Sequence, residues 1–190
     1  ANWIKNVAYI ISMTELLILG SIILNWRKSL NTAKKNLYKV PYKFIVAADI
    51  WIFLNLTLAI LISIPAINTY THGTHVTVAH AMGATIGINT MILFASLYYI
   101  LEKHIGKIEN KKTRFGFILV NLALIIFWMT LIISGITKAI LNEKGVAFQS
   151  MMLQLQQLFK LFNIAGLAVL IGIILISIPL LVKFSKIILS

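Results

Sequence analysis

Three histidines, His72, His75 and His80, crowd into nine residues of an otherwise apolar chain. Imidazole can ligate a metal, relay a proton or hydrogen-bond a neighbour. His80 is the most informative of the three, because an apolar run from about Thr74 to Leu101 encloses it. At ~1.5 Å rise per residue it lies on the order of 9 Å inside that run. A coordinating or ionisable group at such a depth in hydrocarbon is costly and usually functional. The plainer reading is a neutral ring hydrogen-bonded to an adjacent helix. His104 falls in a basic loop and reads as a solvated residue.

The residues around His80 leave both readings open. Ala79, Gly83 and Gly87 recur at every fourth position, and Ala84 sits one turn below His80. Such a lean face either packs closely against another helix or leaves clearance for a flat macrocycle against the backbone. Met82 lies ~200° around the helix from His80, since each residue turns ~100°. Axial ligands at i and i+2 therefore suit one haem on each flank of a helix, although methionine is also common core filler. His75 shares the face of Met82 but sits about 10 Å away along the axis, so only one of them can serve a given iron. Two carboxylates, Glu15 and Asp49, fall inside apolar runs and are expected to be buried. They read as neutral or hydrogen-bonded acids, as partners for Asn55, Asn89 or Asn121, or, at the depth of Glu15, as part of a proton route.

The elements that position these groups follow from composition. Of 190 residues, 59% are hydrophobic and 12% charged, with mean hydropathy +0.92, against about 25% charged in a typical soluble domain. A span needs ~20 apolar residues, and five such runs recur at about 7–26, 44–64, 74–101, 115–136 and 161–182. The expected fold is an all-α polytopic bundle forming a single membrane domain over 1–190. Pro41 lies near the start of the second run and Pro65 closes it. The loop from Ala66 to Gly73 is short, and Gln149–Lys160 is an amphipathic lead-in whose Lys160 snorkels to the interface. The chain has no cysteine, which excludes disulfides, thiolate zinc sites and iron–sulfur clusters within it.

The charge of +12 is distributed by side. Arg27, Lys28, Lys34, Lys35, Lys39 and Lys43 follow the first run, Lys103, Lys107, Lys111, Lys112 and Arg114 the third, and Lys183 and Lys186 the fifth. The opposite side carries only Lys5, Lys138, Lys144 and Lys160. The positive-inside rule then places the N-terminus outside and the C-terminus in the cytoplasm. The surplus charge is a topology signal and needs no nucleic acid. The chain starts at Ala1 without Met and reads as a fragment or a processed chain.

Against this background a resemblance becomes specific. Trp51-x-Phe53-Leu54, Pro65-x-x-Asn68-x-Tyr70, Gly73-Thr74-x-x-Thr77-x-x-His80-Ala81 and Gly87-x-x-x-Met91 are similar to the ninth and tenth helices of the nitric oxide reductase large subunit, in the haem–copper oxidase superfamily. The close match covers about forty residues. The flanking spans resemble helices eight to twelve in order and direction only.

The resemblance implies that His80 is the proximal ligand of a high-spin haem b, with Gly83, Ala84 and Gly87 giving clearance to the porphyrin. The family's second histidine, a ligand of the low-spin haem, falls on Met82, a departure that implies a His/Met-ligated haem or a low-spin haem held otherwise. It also implies a non-haem iron held by residues outside this chain, in the N-terminal half of the subunit, so the fragment alone is expected to be inactive. The implied reaction converts two nitric oxide molecules, two electrons and two protons into nitrous oxide and water. Electrons would come from a c-type cytochrome subunit or from quinol, in a bacterial cytoplasmic membrane whose lipid surrounds the bundle. Two rivals stand beside it: subunit I of an oxygen-reducing terminal oxidase, and a transporter or structural subunit without haem.

Overall fold

The computed structural model describes residues 2–29, 38–106, 108 and 110–188. Lys34, Lys35 and Lys107 of the basic loops lie outside the described residues, as do the side chains of Lys5 and Lys186. Helix α1 spans Asn2–Ser29, α2 Lys39–Ser63 and α3 Pro65–Thr71; α4, His75–Met82, runs into a π-helical segment, Gly83–Asn89, and on into α5, Thr90–Ile105. Helices α6, Lys111–Glu143, and α7, Phe148–Ile188, complete the chain, and no strand occurs among the described residues. Among the described residues five helices are long and apolar enough to cross a membrane: Tyr9–Ser29, Lys39–Ser63, His75–Ile105, Lys111–Glu143 and Phe148–Ser185.

Local chemistry sets several boundaries. Ile64 is extended because Pro65 follows it, and Pro65 then occupies the first turn of α3, where its missing N–H costs nothing. The expected loop after the second span is thus largely helix. The Thr74 hydroxyl accepts from the Val76 amide to cap α4, and Asn110 Oδ1 accepts from the Thr113 amide at 2.8 Å to cap α6. The amphipathic lead-in before the fifth span is continuous with it. Along α7, Met151, Leu155, Ala165, Val169, Ile176 and Leu180 are buried. Their separations of four, seven and ten residues keep them on one face, that of a seam wrapped on a neighbouring helix.

That neighbour is α6, and the two approach most closely at glycines. A Cβ on Gly116 would stand 2.8 Å from the Gly172 carbonyl oxygen, and one on Gly172 3.0 Å from the Val120 amide nitrogen. Small residues permit such contact in a bilayer, where dispersion rather than the hydrophobic effect joins helices. Helix α2 packs on the π segment and α5, while α4 crosses α6. Phe44 stacks on Tyr98 with centroids 5.6 Å apart and meets Phe117 edge-on at 5.0 Å. Helix α1 is the outlier: it packs on α2 and leaves most of its apolar surface exposed.

Candidate haem-ligand site

His80 lies on α4 one turn before the helix widens into its π segment. Its ring is half-buried, and Nδ1 is fully buried without a hydrogen-bond partner. Buried polar atoms are rarely left unmatched. The residues on the same face at i−3 and i+4, Thr77 and Ala84, are small, as is the adjoining Ala81, and Thr77 and Ala81 are exposed. The outward flank beside the imidazole is therefore lean, whereas the corresponding flank further along α5 carries the exposed Leu93, Leu97 and Ile100. A half-buried ring with one nitrogen enclosed and small residues beside it fits an axial ligand of haem. His80 would supply the imidazole donor to such a group, with Thr77, Ala81 and Ala84 beside it.

Gly83 and Gly87 stand against the helix bundle. A Cβ on Gly83 would overlap Asn55 Oδ1 and stand 3.1 Å from Trp128 Nε1; one on Gly87 would stand 2.6 Å from Trp51 Cδ2. Side chains of α2 and α6 fill the space above Gly83 and Gly87. The reason is the buried face of α4, set by Val76 and Ala79, which directs the glycines inward and leaves Ala84, half-buried, nearer the open flank. Met82 is partly buried and packs against the same core, so core side chains occupy its flank.

The carboxylates also differ from expectation. Glu15 is exposed, on a helix that packs chiefly on α2 and leaves much of its described surface open; the expected burial does not occur among the described residues. Asp49 is buried, and its partner is none of the asparagines: Oδ2 lies 3.4 Å from Arg27 Nε on α1. That pairing depends on how far α1 slides along α2, which no local pattern encodes. Asn89 is exposed. The three clustered histidines stay apart: His72 is exposed at the rim of an open pocket with Tyr70, Lys138 and Glu143, and His75 meets Phe159 edge-on at 5.3 Å. No group of three or more metal-ligating side chains forms among the described residues.

Two features went unread in the sequence. The π segment is one, its i→i+5 bonding marked by the Thr90 amide donating to the Thr85 carbonyl; such segments concentrate at functional sites. The other is a layer of buried indoles. Trp51 donates through Nε1 to Asn121 Oδ1 at 3.2 Å, and Asn121 Nδ2 donates to the Phe117 carbonyl at 2.9 Å. Trp51 and Trp128 meet edge-on at 6.0 Å, below the glycines that admit them. Gly83 and Gly87 lie on a different helix from Trp51, more than thirty residues further along the chain, so no local pattern signals the pairing.

Helical architecture and five membrane-length helices define an all-α, multi-pass membrane protein. The family model for cytochrome c and quinol oxidase polypeptide I matches residues 1–171. The chain belongs to that family, the subunit I family of the haem–copper oxidases, whose members bind haem and metal centres and work with further subunits in the membrane. No individual curated protein matches it. Membership sets aside the reading of the chain as an unrelated transporter.

Proposed function

We propose that the chain is the haem-ligating portion of the catalytic subunit of a membrane nitric oxide reductase, with His80 as the proximal axial ligand of the high-spin haem. The observation that carries this reading is the half-buried His80 ring, its Nδ1 unmatched in the bundle, beside the small residues Thr77, Ala81 and Ala84. The four motif stretches around it, from Trp51 to Met91, favour the nitric oxide branch of the family. When bound, the haem supplies the iron at which the gas is reduced. The chain's own part is to present the imidazole nitrogen at fixed depth, brace its helix against Asn55, Trp51 and Trp128, and keep the surroundings apolar for a small neutral gas.

Met82 is the position nominated for the low-spin haem, and ligation there requires its flank of the core to open. The non-haem iron, the electron donor (c-type cytochrome or quinol), the outside N-terminus and a bacterial cytoplasmic membrane complete the proposal. The test is His80→Ala in the full-length protein, read by pyridine haemochrome and by high-spin haem absorption. One haem b equivalent is expected to be lost, and exogenous imidazole is expected to restore part of its spectrum in His80→Gly. An unchanged haem content and spectrum would remove His80 from the site.

The second reading, an oxygen-reducing oxidase, is favoured by the family description itself. Gas-consumption measurements on the full-length protein separate the two: nitric oxide uptake with nitrous oxide release, or oxygen uptake alone.

A further inference from the structure

Two buried polar atoms meet at Gly83 without a hydrogen-bond partner. Asn55 of α2 is 4% exposed and Trp128 of α6 8%. Asn55 Oδ1 is an acceptor and Trp128 Nε1 a donor, and both are unmatched. A Cβ on Gly83 would overlap the first and stand 3.1 Å from the second, so both lie within reach of one point. Nearby, the same two residue types pair directly: Trp51 of α2 donates to Asn121 Oδ1 of α6 at 3.2 Å. Asn55 and Trp128 are that pair with the helices exchanged, one turn after Trp51 on α2 and two turns after Asn121 on α6. They rest on Gly83 instead and do not close.

An unmatched donor and an unmatched acceptor in a low-dielectric interior are costly. What joins them across a gap is a molecule that both accepts and donates. A cation would leave the indole N–H facing it, and an anion the amide oxygen, so neither suits the pair. Water does: two bonds of about 2.7–3.0 Å let it span roughly 4.5–5.5 Å between its partners. His80 brings a third atom to the same region. It lies one turn before Gly83, and its Nδ1 is buried and unmatched as well. A metal-ligating histidine nearly always donates its other ring N–H to a carboxylate, a carbonyl or a water, which orients the ring and raises its basicity. Ligation through Nε2 leaves the hydrogen on Nδ1 in need of such an acceptor. A buried water makes about three hydrogen bonds; Asn55 and Trp128 account for two, and His80 for the third.

We propose that Asn55 and Trp128 hold one buried water beside Gly83, and that this water accepts the Nδ1–H of His80, which makes Asn55 a positioning residue for the haem ligand. The second half rests on the haem reading; the water itself does not. The test is vibrational spectroscopy of the full-length protein in nanodiscs. Infrared difference spectra of wild type against Asn55→Leu, and against Trp128→Phe, are both expected to show one O–H stretching band that moves in water carrying the heavy oxygen isotope. In the ferrous protein the iron–histidine stretch, read by resonance Raman, is expected to fall in Asn55→Leu at unchanged haem content, because the imidazole loses basicity. Asn55→Asp, which keeps a carbonyl oxygen, is expected to restore both signals. Should Asn55→Leu lose its haem, Trp128→Phe carries both readouts. No isotope-sensitive band in either difference would overturn the water, and an unmoved iron–histidine stretch would overturn the role of Asn55. Failure of the haem reading is told apart by His80→Ala: if that variant keeps all its haem, the link to His80 falls, while the isotope-sensitive band still decides the water.

Discussion

Adding a single methyl group at Gly87 tests the packing that positions His80. An alanine Cβ there would stand 2.6, 2.7 and 2.9 Å from Trp51 Cδ2, Cγ and Cε3, closer than carbon atoms approach without something moving. Trp51 is 2% exposed and is held by its bond to Asn121 and by the edge contact with Trp128. Its ring cannot swing away without giving these up. Overpacking of this kind costs about 1–3 kcal/mol, and losing the indole hydrogen bond adds about 0.5–1.5 kcal/mol. Exchanging glycine for alanine inside a helix returns on the order of 1 kcal/mol. Gly87→Ala should therefore destabilise the full-length protein by about 1–3 kcal/mol. Gly166→Ala serves as the control, because its nearest neighbour is a Phe127 ring carbon at 3.4 Å, an ordinary contact. Thermal unfolding in nanodiscs, followed by tryptophan fluorescence, should show Gly87→Ala melting well below wild type and Gly166→Ala at or above it. If Gly87→Ala is as stable as wild type, the glycine is not there to admit Trp51, and the space above it is open after all.

Four further outcomes are expected. Tyr98→Phe removes a buried hydroxyl that lies 2.9 Å from both Thr113 Oγ1 and the Ile176 carbonyl; chemical denaturation should register a loss of about 1–2 kcal/mol, and no loss would mean those bonds carry no net stability. Because the Arg27 side chain is 38% exposed, a double-mutant cycle of Arg27→Gln and Asp49→Asn should give a modest coupling of about 0.5–2 kcal/mol, whereas strict additivity would show that α1 does not dock through this pair. Met82→Leu should preserve the fold at a cost below about 1.5 kcal/mol while abolishing a His/Met near-infrared magnetic circular dichroism band; a band of bis-His type in the wild type would return Met82 to the core. In a full-length background stripped of any other cysteine, Lys103→Cys and Lys144→Cys can each be labelled in intact cells, and only Lys144→Cys should react with an impermeant maleimide.

The parts of this protein written in one dimension are those governed by local chemistry. Runs of apolar residues of span length, Pro65 after Ile64, and lysines gathered at alternate loops fix helices and their limits because each acts on its own stretch of backbone or its own segment of bilayer. His80 was legible for the same reason: an imidazole among alanines and glycines inside an apolar run is conspicuous wherever the helix ends up. Tertiary structure decided which way each face turns. It put Trp51 and Trp128 into the spaces above Gly87 and Gly83, left the open flank to Thr77, Ala81 and Ala84, brought Arg27 to Asp49 and turned Glu15 away from the bundle. Those outcomes depend on the rotation and sliding of one helix against another and on the wider turn of Gly83–Asn89, which shifts the phase of everything after it. Such rigid-body freedoms are settled by the summed packing of distant segments, and no single segment carries that sum.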